Sequence, residues 1–470
     1  MTVFYKNMYE KIINRGIFMI NNIEIHIDFD KLESNLPKFE CEFNFEGVKV
    51  YTTNKEIVFK GFIGSYEIMS YQEAIAKCRP KIIAIFDIIS FLIGDSITIY
   101  DINHKSYSVK PNEGEEETKI SKFIFNDVDL SSQLRIILSK IENDKNTTLT
   151  LLDKWNKANY LLNVDDSHVL FLDETIINCF NVFELLADTT KKEYERYIDE
   201  QSKKLLFEFY TNVGNLDNNK INDKVNQKNR LIKEILVGEF LNLSDKFKYY
   251  LQKYRLLDEN LSYFVDRIIK IRNSIAHGRI VSNLSVMEYP LTPFYNIVNP
   301  EANLVNPIIV LTGVLISKYI GIDIWEEEWE KIKEILEPNP VRVKEVIEGK
   351  LAIDINEKNQ YNLTWYSVFL YYLSCKDKQR DSIELWFKEE IKKRKFETLD
   401  FYNLYEISVI LITTQDYELY QILSKIIFKI IKEDLCRWSS YRDIFLYLEV
   451  RNIVVEANKK KIDEILRKNP

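Results

Sequence analysis

The sequence predicts an α+β protein, with a mixed α/β domain over residues 1–130, a helical bundle over 131–335 and an all-α region over 336–470. A length of 470 residues fits about three domains. Apolar and polar residues alternate between Ile23 and Gly64, as in strands that bury one face. From about Ser131 onward, apolar residues recur at helical spacing. Two prolines, Pro338 and Pro340, separate the last helical segments from those before them.

In the first region, alternation predicts strands over Ile23–Phe29 and Glu56–Gly64, and a hairpin over Phe39–Thr53 that turns at Glu46-Gly47. An apolar pattern predicts a helix over Tyr71–Ile93. Three further strands and one acidic loop are predicted after it, namely Ser96–Ile102, His104–Lys110, Lys122–Val128 and the loop Asn112–Glu117.

Helices are predicted for most of the remaining chain. In the middle region they cover Ser132–Glu142, Leu149–Leu162, Asp173–Tyr210, Leu231–Leu241, Lys246–Leu257, a segment from about Glu259 to Gly278, and Pro307–Ile322. The polar stretch Gly214–Asn229 and the proline-containing stretch Met287–Pro307 are predicted loops. In the last region, the predicted helices are Tyr361–Cys375, Ile383–Lys393, Leu404–Thr413, Tyr417–Lys432 and Tyr441–Asn458.

The helix that starts at about Glu259 follows Asp258, a suitable N-cap, and stops at Gly278. Its apolar residues form one stripe, made of Leu261, Phe264, Val265, Ile268, Ile271 and Ile275. Arg272 falls inside this stripe. Because a lone arginine is costly to bury on an apolar face, we expect a wet cleft or a partner subunit beside it.

The same helix carries Asn273 and His277, which fall on a different flank from Arg272. The Arg272 guanidinium stays protonated and can clamp a phosphate, and the His277 imidazole can transfer protons near neutral pH. RNA supplies its own nucleophile, the 2′-hydroxyl, so this pair needs no metal ion and no cofactor. Asn273 is expected to orient His277 or a phosphate oxygen.

On an ideal helix, the side chains of Arg272 and His277 point roughly 140° apart. They can share a site in three ways. The helix can bend or fray near His277, Arg272 can snorkel across, or a second chain can complete the site.

The sequence RNSIAHG, Arg272 to Gly278, resembles the signature of the HEPN superfamily, in which an arginine and a histidine stand four to six residues apart. The surrounding pattern, over about Asp173–Ile322, is most similar to the ApeA-like branch. The resemblance implies a HEPN four-helix bundle and a metal-independent endoribonuclease whose products carry a cyclic phosphate. It also implies a homodimer with two facing motifs, and a toxin of anti-phage defence (abortive infection) that a phage-derived trigger or inhibitor controls.

Two further expectations concern RNA and assembly. Lys270 and Arg279, beside the motif, are the predicted RNA contacts. The apolar stripe around Ile268, Ile271 and Ile275 is expected to lie near the two-fold axis. On that expectation, Ile268→Asp splits the dimer and leaves each chain helical.

Two other classes of function stay open. One is a catalytically inactive HEPN module that binds RNA or a partner, and the other is a helical interaction or scaffold protein in which the motif is coincidental. In the simplest interpretation, Arg272 is a snorkelling surface arginine and His277 lies at a helix C-terminus, where the dipole favours a cation. Opposed motifs in an open groove favour the nuclease, and a motif sealed in a monomer core favours coincidence.

Charge and composition narrow the classes further. A net charge of −8 argues against a broad nucleic-acid-binding surface, although residues 228–279 hold eleven basic and six acidic residues. The basic runs Lys392–Lys395 and Lys459–Lys461 are interpreted as solvated helix ends. Five scattered cysteines indicate reduced thiols in a cytoplasm and no zinc site.

Membrane and metal roles are not expected either. No apolar run reaches the roughly 18 residues of a membrane-spanning helix. The aspartate pairs Asp28/Asp30 and Asp127/Asp129 are typical of strand ends, and we do not expect them to hold a metal ion.

Overall fold

A computed structural model gives an antiparallel sheet followed by helices, which confirms the predicted α+β class. The residues that the structure describes are 2–13, 16–28, 41–53, 56–65, 71–97, 130–164, 171–214, 218–239, 243–278, 304–396, 399–436, 440–450 and 453–468. The predicted strands and acidic loop between residues 98 and 129, and most of the predicted loop Met287–Pro307, lie outside them.

The described strands form one sheet: β1 (Thr2–Ile13), β2 (Gly16–Asp28), β3 (Glu42–Phe45), β4 (Val48–Thr52) and β5 (Glu56–Ser65). All pairings are antiparallel, and the spatial order is β1-β2-β5-β4-β3. Strands β2 to β5 confirm the strands predicted from alternation, whereas β1 was missed. Its register shifts between Lys6 and Met8, so the alternation breaks where consecutive polar residues form an irregularity.

The hairpin of β3 and β4 turns at the predicted position. Glu46 and Gly47 both have positive φ, 46° and 79°, which is the geometry of a two-residue turn that matches the strand twist. Inside the sheet, Phe59 on β5 pairs with Ile25 on β2 and Val50 on β4, and all three side chains are buried. These three side chains lie on the buried, apolar face of the sheet.

The helices of the first half confirm most of the predicted ones. They are α1 (Tyr71–Ile93), α2 (Leu130–Asn143), α3 (Lys145–Asn163), α4 (Leu172–Asn212), α5 (Asn218–Glu239), α6 (Leu243–Lys253) and α7 (Glu259–Ala276). The helices of the second half are α8 (Val305–Ile320), α9 (Glu326–Ile335), α10 (Pro340–Ile347), α11 (Trp365–Ser374), α12 (Asp377–Lys392), α13 (Phe401–Leu411), α14 (Tyr417–Lys432), α15 (Asp443–Val450) and α16 (Glu456–Lys468).

The loop predicted over Gly214–Asn229 is wrong, because α5 begins at Asn218. Ile221, Val225 and Asn229 repeat every four residues and are buried, although the stretch is otherwise polar. The Asn229 side chain donates to Asp199 on α4 over 2.7 Å and accepts a hydrogen bond from the Ser202 hydroxyl. The helix thus depends on packing against α4, which its local composition does not reveal.

The single helix predicted over Tyr441–Asn458 is also wrong. The chain forms α15 and α16 instead, and residues 453–455 between them are not helical. These three residues are Ile453, Val454 and Val455, and consecutive β-branched side chains disfavour a helix. The Asn458 amide on α16 donates to the carbonyl of Val409 over 2.7 Å, which ties the second helix to α13.

The chain groups into two compact units. One unit comprises Met1–Tyr254 and Val305–Glu330, and the other comprises Arg255–Leu304 and Lys331–Pro470. Helix α7 therefore belongs to the same unit as the C-terminal helices. This grouping differs from the three domains expected from the sequence, whose boundaries stay a prediction.

Each unit has its own aromatic core. In the first unit, the ring of Trp155 on α3 lies 5.2 Å from that of Phe91 on α1 and 5.4 Å from that of Trp325. The Phe59 ring of the sheet contacts Phe86 on α1 edge-to-face, at 5.6 Å. In the second unit, the fully buried Trp365 packs its ring 5.4 Å from that of Phe387.

Candidate functional site

Helix α7 begins and ends where its sequence predicts. The Asp258 carboxylate accepts a hydrogen bond from the backbone N–H of Leu261 over 2.8 Å, which caps the N-terminus. At the other end, Gly278 has φ of 74° and donates its N–H to the carbonyl of Ile275 over 2.8 Å. A left-handed residue directly after the helix suits glycine, so the stop at this position is confirmed.

The structure brings Arg272 and Asn273 together. The Arg272 guanidinium donates through Nη1 to Oδ1 of Asn273 over 3.2 Å. Arg272 is half-buried within the apolar stripe, and Asn273 is exposed. The stripe position therefore does not enclose the arginine, and its charged end lies beside the exposed flank of the helix.

His277 lies one residue beyond the last helical residue. Its backbone, with φ of −90° and ψ of 13°, has left the helical region, and its N–H donates to the carbonyls of Asn273 and Ser274 over 3.1 and 3.2 Å. The side chain is exposed. In the described part of the chain, no hydrogen bond links the imidazole to Arg272 or Asn273. The 140° separation of an ideal helix does not fix the direction of this side chain, because the helix has already ended there.

The two predicted RNA contacts have different outcomes. Lys270 is exposed on α7, about two helical turns before His277. Its carbonyl accepts a hydrogen bond from the Ser274 hydroxyl over 3.1 Å, which leaves the ammonium group outside that contact. Arg279 lies outside the described residues.

The expectation that Ile268 lies on a two-fold axis is wrong. Its side chain is 0% exposed within one chain, so it belongs to the interior of the fold and not to an open surface. Leu261, Phe264 and Val265 are buried in the same way, whereas Ile271 and Ile275 are half-buried. Only the last turns of the stripe reach the surface.

Two ion pairs that the sequence does not reveal hold α7 within its unit. Arg267 pairs with Glu337 through Nη1, and the Arg342 Nε donates to Glu259 over 2.6 Å. The hydrogen bonds that Arg342 donates, first to Glu259 and then to Glu345, raise the pKa of its guanidinium. The partners stand at least 70 residues apart in sequence, so local spacing gave no signal of them. They fix the orientation of the helix that carries the motif.

Most side chains in the basic runs Lys392–Lys395 and Lys459–Lys461 have acidic partners within the chain. Lys392 contacts Asp416 over 2.9 Å, and Arg394 contacts Asp354 over 2.7 Å. Lys459 pairs with Glu449, and the whole run Lys459–Lys461 has acidic partners. Because their charges are already compensated, these runs make poor phosphate-binding surfaces compared with Lys270.

Among the residues that the structure describes, no group of three or more histidine, cysteine, aspartate or glutamate side chains is arranged to hold a metal ion. In the same residues, no helix combines the length and apolar character needed to cross a membrane. All five cysteines are free thiols, two of which, Cys179 and Cys375, are buried.

No protein-family model matches the chain, and it has no match among curated proteins or solved structures. The likeness to the HEPN superfamily therefore rests on the residues of the motif and on the elements around it.

Proposed function

We propose that the chain is a metal-independent endoribonuclease of the HEPN type, whose site is built on the C-terminal end of α7. One observation carries this proposal. The helix end presents an exposed His277 outside the helix, together with an Arg272 guanidinium that Asn273 orients. A motif sealed in a monomer core favours coincidence, and these side chains are not sealed within the chain.

Each residue has a defined part in the proposed reaction. The 2′-hydroxyl oxygen of RNA attacks the adjacent phosphorus, and the bond to the 5′-oxygen of the next nucleotide breaks. His277 acts as base towards the 2′-hydroxyl or as acid towards the departing 5′-oxygen. Arg272 stabilises the charge on the phosphate oxygens, and Lys270 attracts the backbone. The products are a 2′,3′-cyclic phosphate and a 5′-hydroxyl.

The reaction needs two proton transfers, and the motif of one chain has one histidine. A homodimer with a composite site supplies the second imidazole. In this proposal, the protein acts in anti-phage defence by abortive infection, and a phage-derived molecule triggers or inhibits it.

The decisive experiment is an RNA cleavage assay in excess chelator. We expect the wild-type chain to cut RNA there, and His277→Ala and Arg272→Ala to abolish cleavage while keeping the folded helical content. Lys358→Ala is the matched control, because it removes from the same unit an exposed basic charge that pairs with Glu334. Cleavage that survives in His277→Ala, or that needs magnesium or manganese, would contradict the proposal.

A helical interaction module is the second candidate, and one observation favours it. Several large apolar side chains on α4 and α5 are exposed, among them Leu205 at 66% and Ile235 at 56%. Large contiguous patches of exposed apolar surface typically mark sites where a protein binds a partner. This candidate predicts that RNA is neither cut nor bound, and that variants on these helices alone change the protein's associations.

A further inference from the structure

Helices α4 and α5 form a hairpin with one apolar face. Asn229 on α5 contacts Asp199 and Ser202 on α4, so α5 runs back along the second half of α4. We take the buried side of each helix, which packs against the other helix, as the reference direction. Around the α4 axis, Leu205 and Phe209 lie roughly 20–60° from that direction. Around the α5 axis, Leu231 and Ile235 lie roughly 80–120° from it, towards the same side of the hairpin. We call the surface formed by Leu205, Phe209, Leu231 and Ile235 the hairpin face.

The hairpin face is exposed, and the opposite face is polar. Its four apolar side chains are 66%, 52%, 49% and 56% exposed, in chain order. On the opposite face, Asp199 and Lys203 of α4 form an ion pair of 2.7 Å, and α5 carries the exposed Asn222 and Asn226 on that side. The apolar side of this amphipathic hairpin lies in water. A partner that covered it would bury these side chains and so stabilise the complex.

We propose that the hairpin face binds the same face of a second copy of this chain. The area of the hairpin face is large enough for a second copy to bind it. The 22 residues of α5 extend about 33 Å, and two helices side by side are about 20 Å wide. Two such faces would bury roughly 1,300 Å² in total, which reaches the lower end of specific protein–protein interfaces.

Charge also supports a second copy. Glu208 lies on the hairpin face of α4, and Lys224 and Lys228 lie on that of α5. Among the described residues, none of these three side chains forms an ion pair within the chain. When two faces meet about a two-fold axis parallel to the helices, α4 of each copy lies over α5 of the other. Glu208 then faces Lys224 of the other copy, twice in the dimer.

A membrane or a nucleic acid fits this surface less well. Glu208, Lys224 and Lys228 give the face a net charge of +1 per copy, whereas anionic lipid and phosphate surfaces select larger clusters of basic residues. This inference rests on the proposed function only in that a composite RNase site calls for a second copy. Its test measures assembly directly, so its failure and the failure of the proposed chemistry are distinguishable.

The test is sedimentation velocity of the full chain over a range of concentrations. We expect the wild type to form a dimer. For the double variant Leu205→Lys/Leu231→Lys, the dissociation constant of the dimer should be about 100-fold larger, because each lysine would have to be desolvated in the interface. Phe207→Lys is the matched control. Phe207 is 45% exposed and lies on the other side of α4, so this variant should dimerise as the wild type does.

A charge exchange identifies the partner as a second copy. Glu208→Lys should weaken the dimer about 10-fold, and adding Lys224→Glu should restore it, because the cross-chain pair is re-formed with reversed signs. A monomeric wild type would overturn the proposal, as would a double lysine variant that still dimerises. Binding of a monomeric wild type to vesicles of anionic phospholipid would assign the face to a membrane instead.

Discussion

The Asn156 side-chain amide on α3 donates a hydrogen bond of 2.8 Å to the Asp87 carboxyl on α1, inside the core of the first unit. Asp87 is 4% exposed, and its burial raises its pKa to about 7. The Asp153 carboxylate nearby raises this pKa further, while Asn156 and Lys157 lower it. Within the described residues, Oδ1 of Asn156 has no hydrogen-bond partner. Burial outweighs the hydrogen bond from Asn156, so the core favours the neutral form of Asp87.

The first prediction is that stability falls as pH rises towards neutral. The folded chain keeps the Asp87 proton up to a pKa of about 7, whereas the unfolded chain loses it near 3.8. The stabilisation that the Asp87 proton provides is complete below the unfolded-state pKa and is lost as pH rises through the folded-state pKa. The total loss in the free energy of unfolding is about 4 kcal/mol. Denaturant unfolding from pH 4 to pH 8 should show this decline in the wild type and a weaker one in Asp87→Asn. Glu142→Gln, as control at an exposed carboxylate of α2, should keep the decline.

The second prediction concerns Gly313 on α8. A Cβ atom at this position would lie 2.6 Å from two ring atoms of Trp325. Alanine in place of glycine normally stabilises a helix interior by about 1 kcal/mol. Here we expect Gly313→Ala to lower the free energy of unfolding by about 2 kcal/mol, because the indole is packed in the core and cannot yield. In a double-mutant cycle with Trp325→Phe, the cost should shrink, and an additive result would contradict the clash.

The third prediction replaces the dimer-splitting role first expected for Ile268. Since this side chain is fully buried in one chain, Ile268→Asp should destabilise the fold by about 4 kcal/mol and disrupt α7. Circular dichroism during denaturation measures the effect. Ala276→Asp, at an exposed position of the same helix, should change stability little. A folded Ile268→Asp chain with altered association would restore the interface interpretation.

The fourth prediction concerns the contact between Asn273 and Arg272. Asn273→Ala removes the oxygen that holds the guanidinium, so cleavage should slow by about 10-fold with little change in stability. Asn273→Asp keeps an acceptor for Arg272 but places a negative charge beside the phosphate. We expect it to bind RNA more weakly than Asn273→Ala, as measured by titration at low salt. Equal affinities in the two variants would place the phosphate away from this residue.

Local sequence determined those parts of the fold whose signals lie within one element. The turn at Glu46-Gly47, the cap at Asp258 and the stop at Gly278 each depend on the backbone preferences of one or two residues, and each is confirmed. The same holds for helices with a regular apolar stripe. Asp258 and Gly278 also set where the helix ends, and hence where His277 leaves it.

Tertiary structure decided what depends on contacts between distant segments. Helix α5 is polar in sequence and forms because Ile221, Val225 and Asn229 pack on α4. Spacing placed Ile268 and Ile275 in one stripe, but only the fold buried the first and left the second half-exposed. Burial and long-range ion pairs such as Arg342 with Glu259 are properties of packing, and the periodicity of one helix does not encode what lies against it.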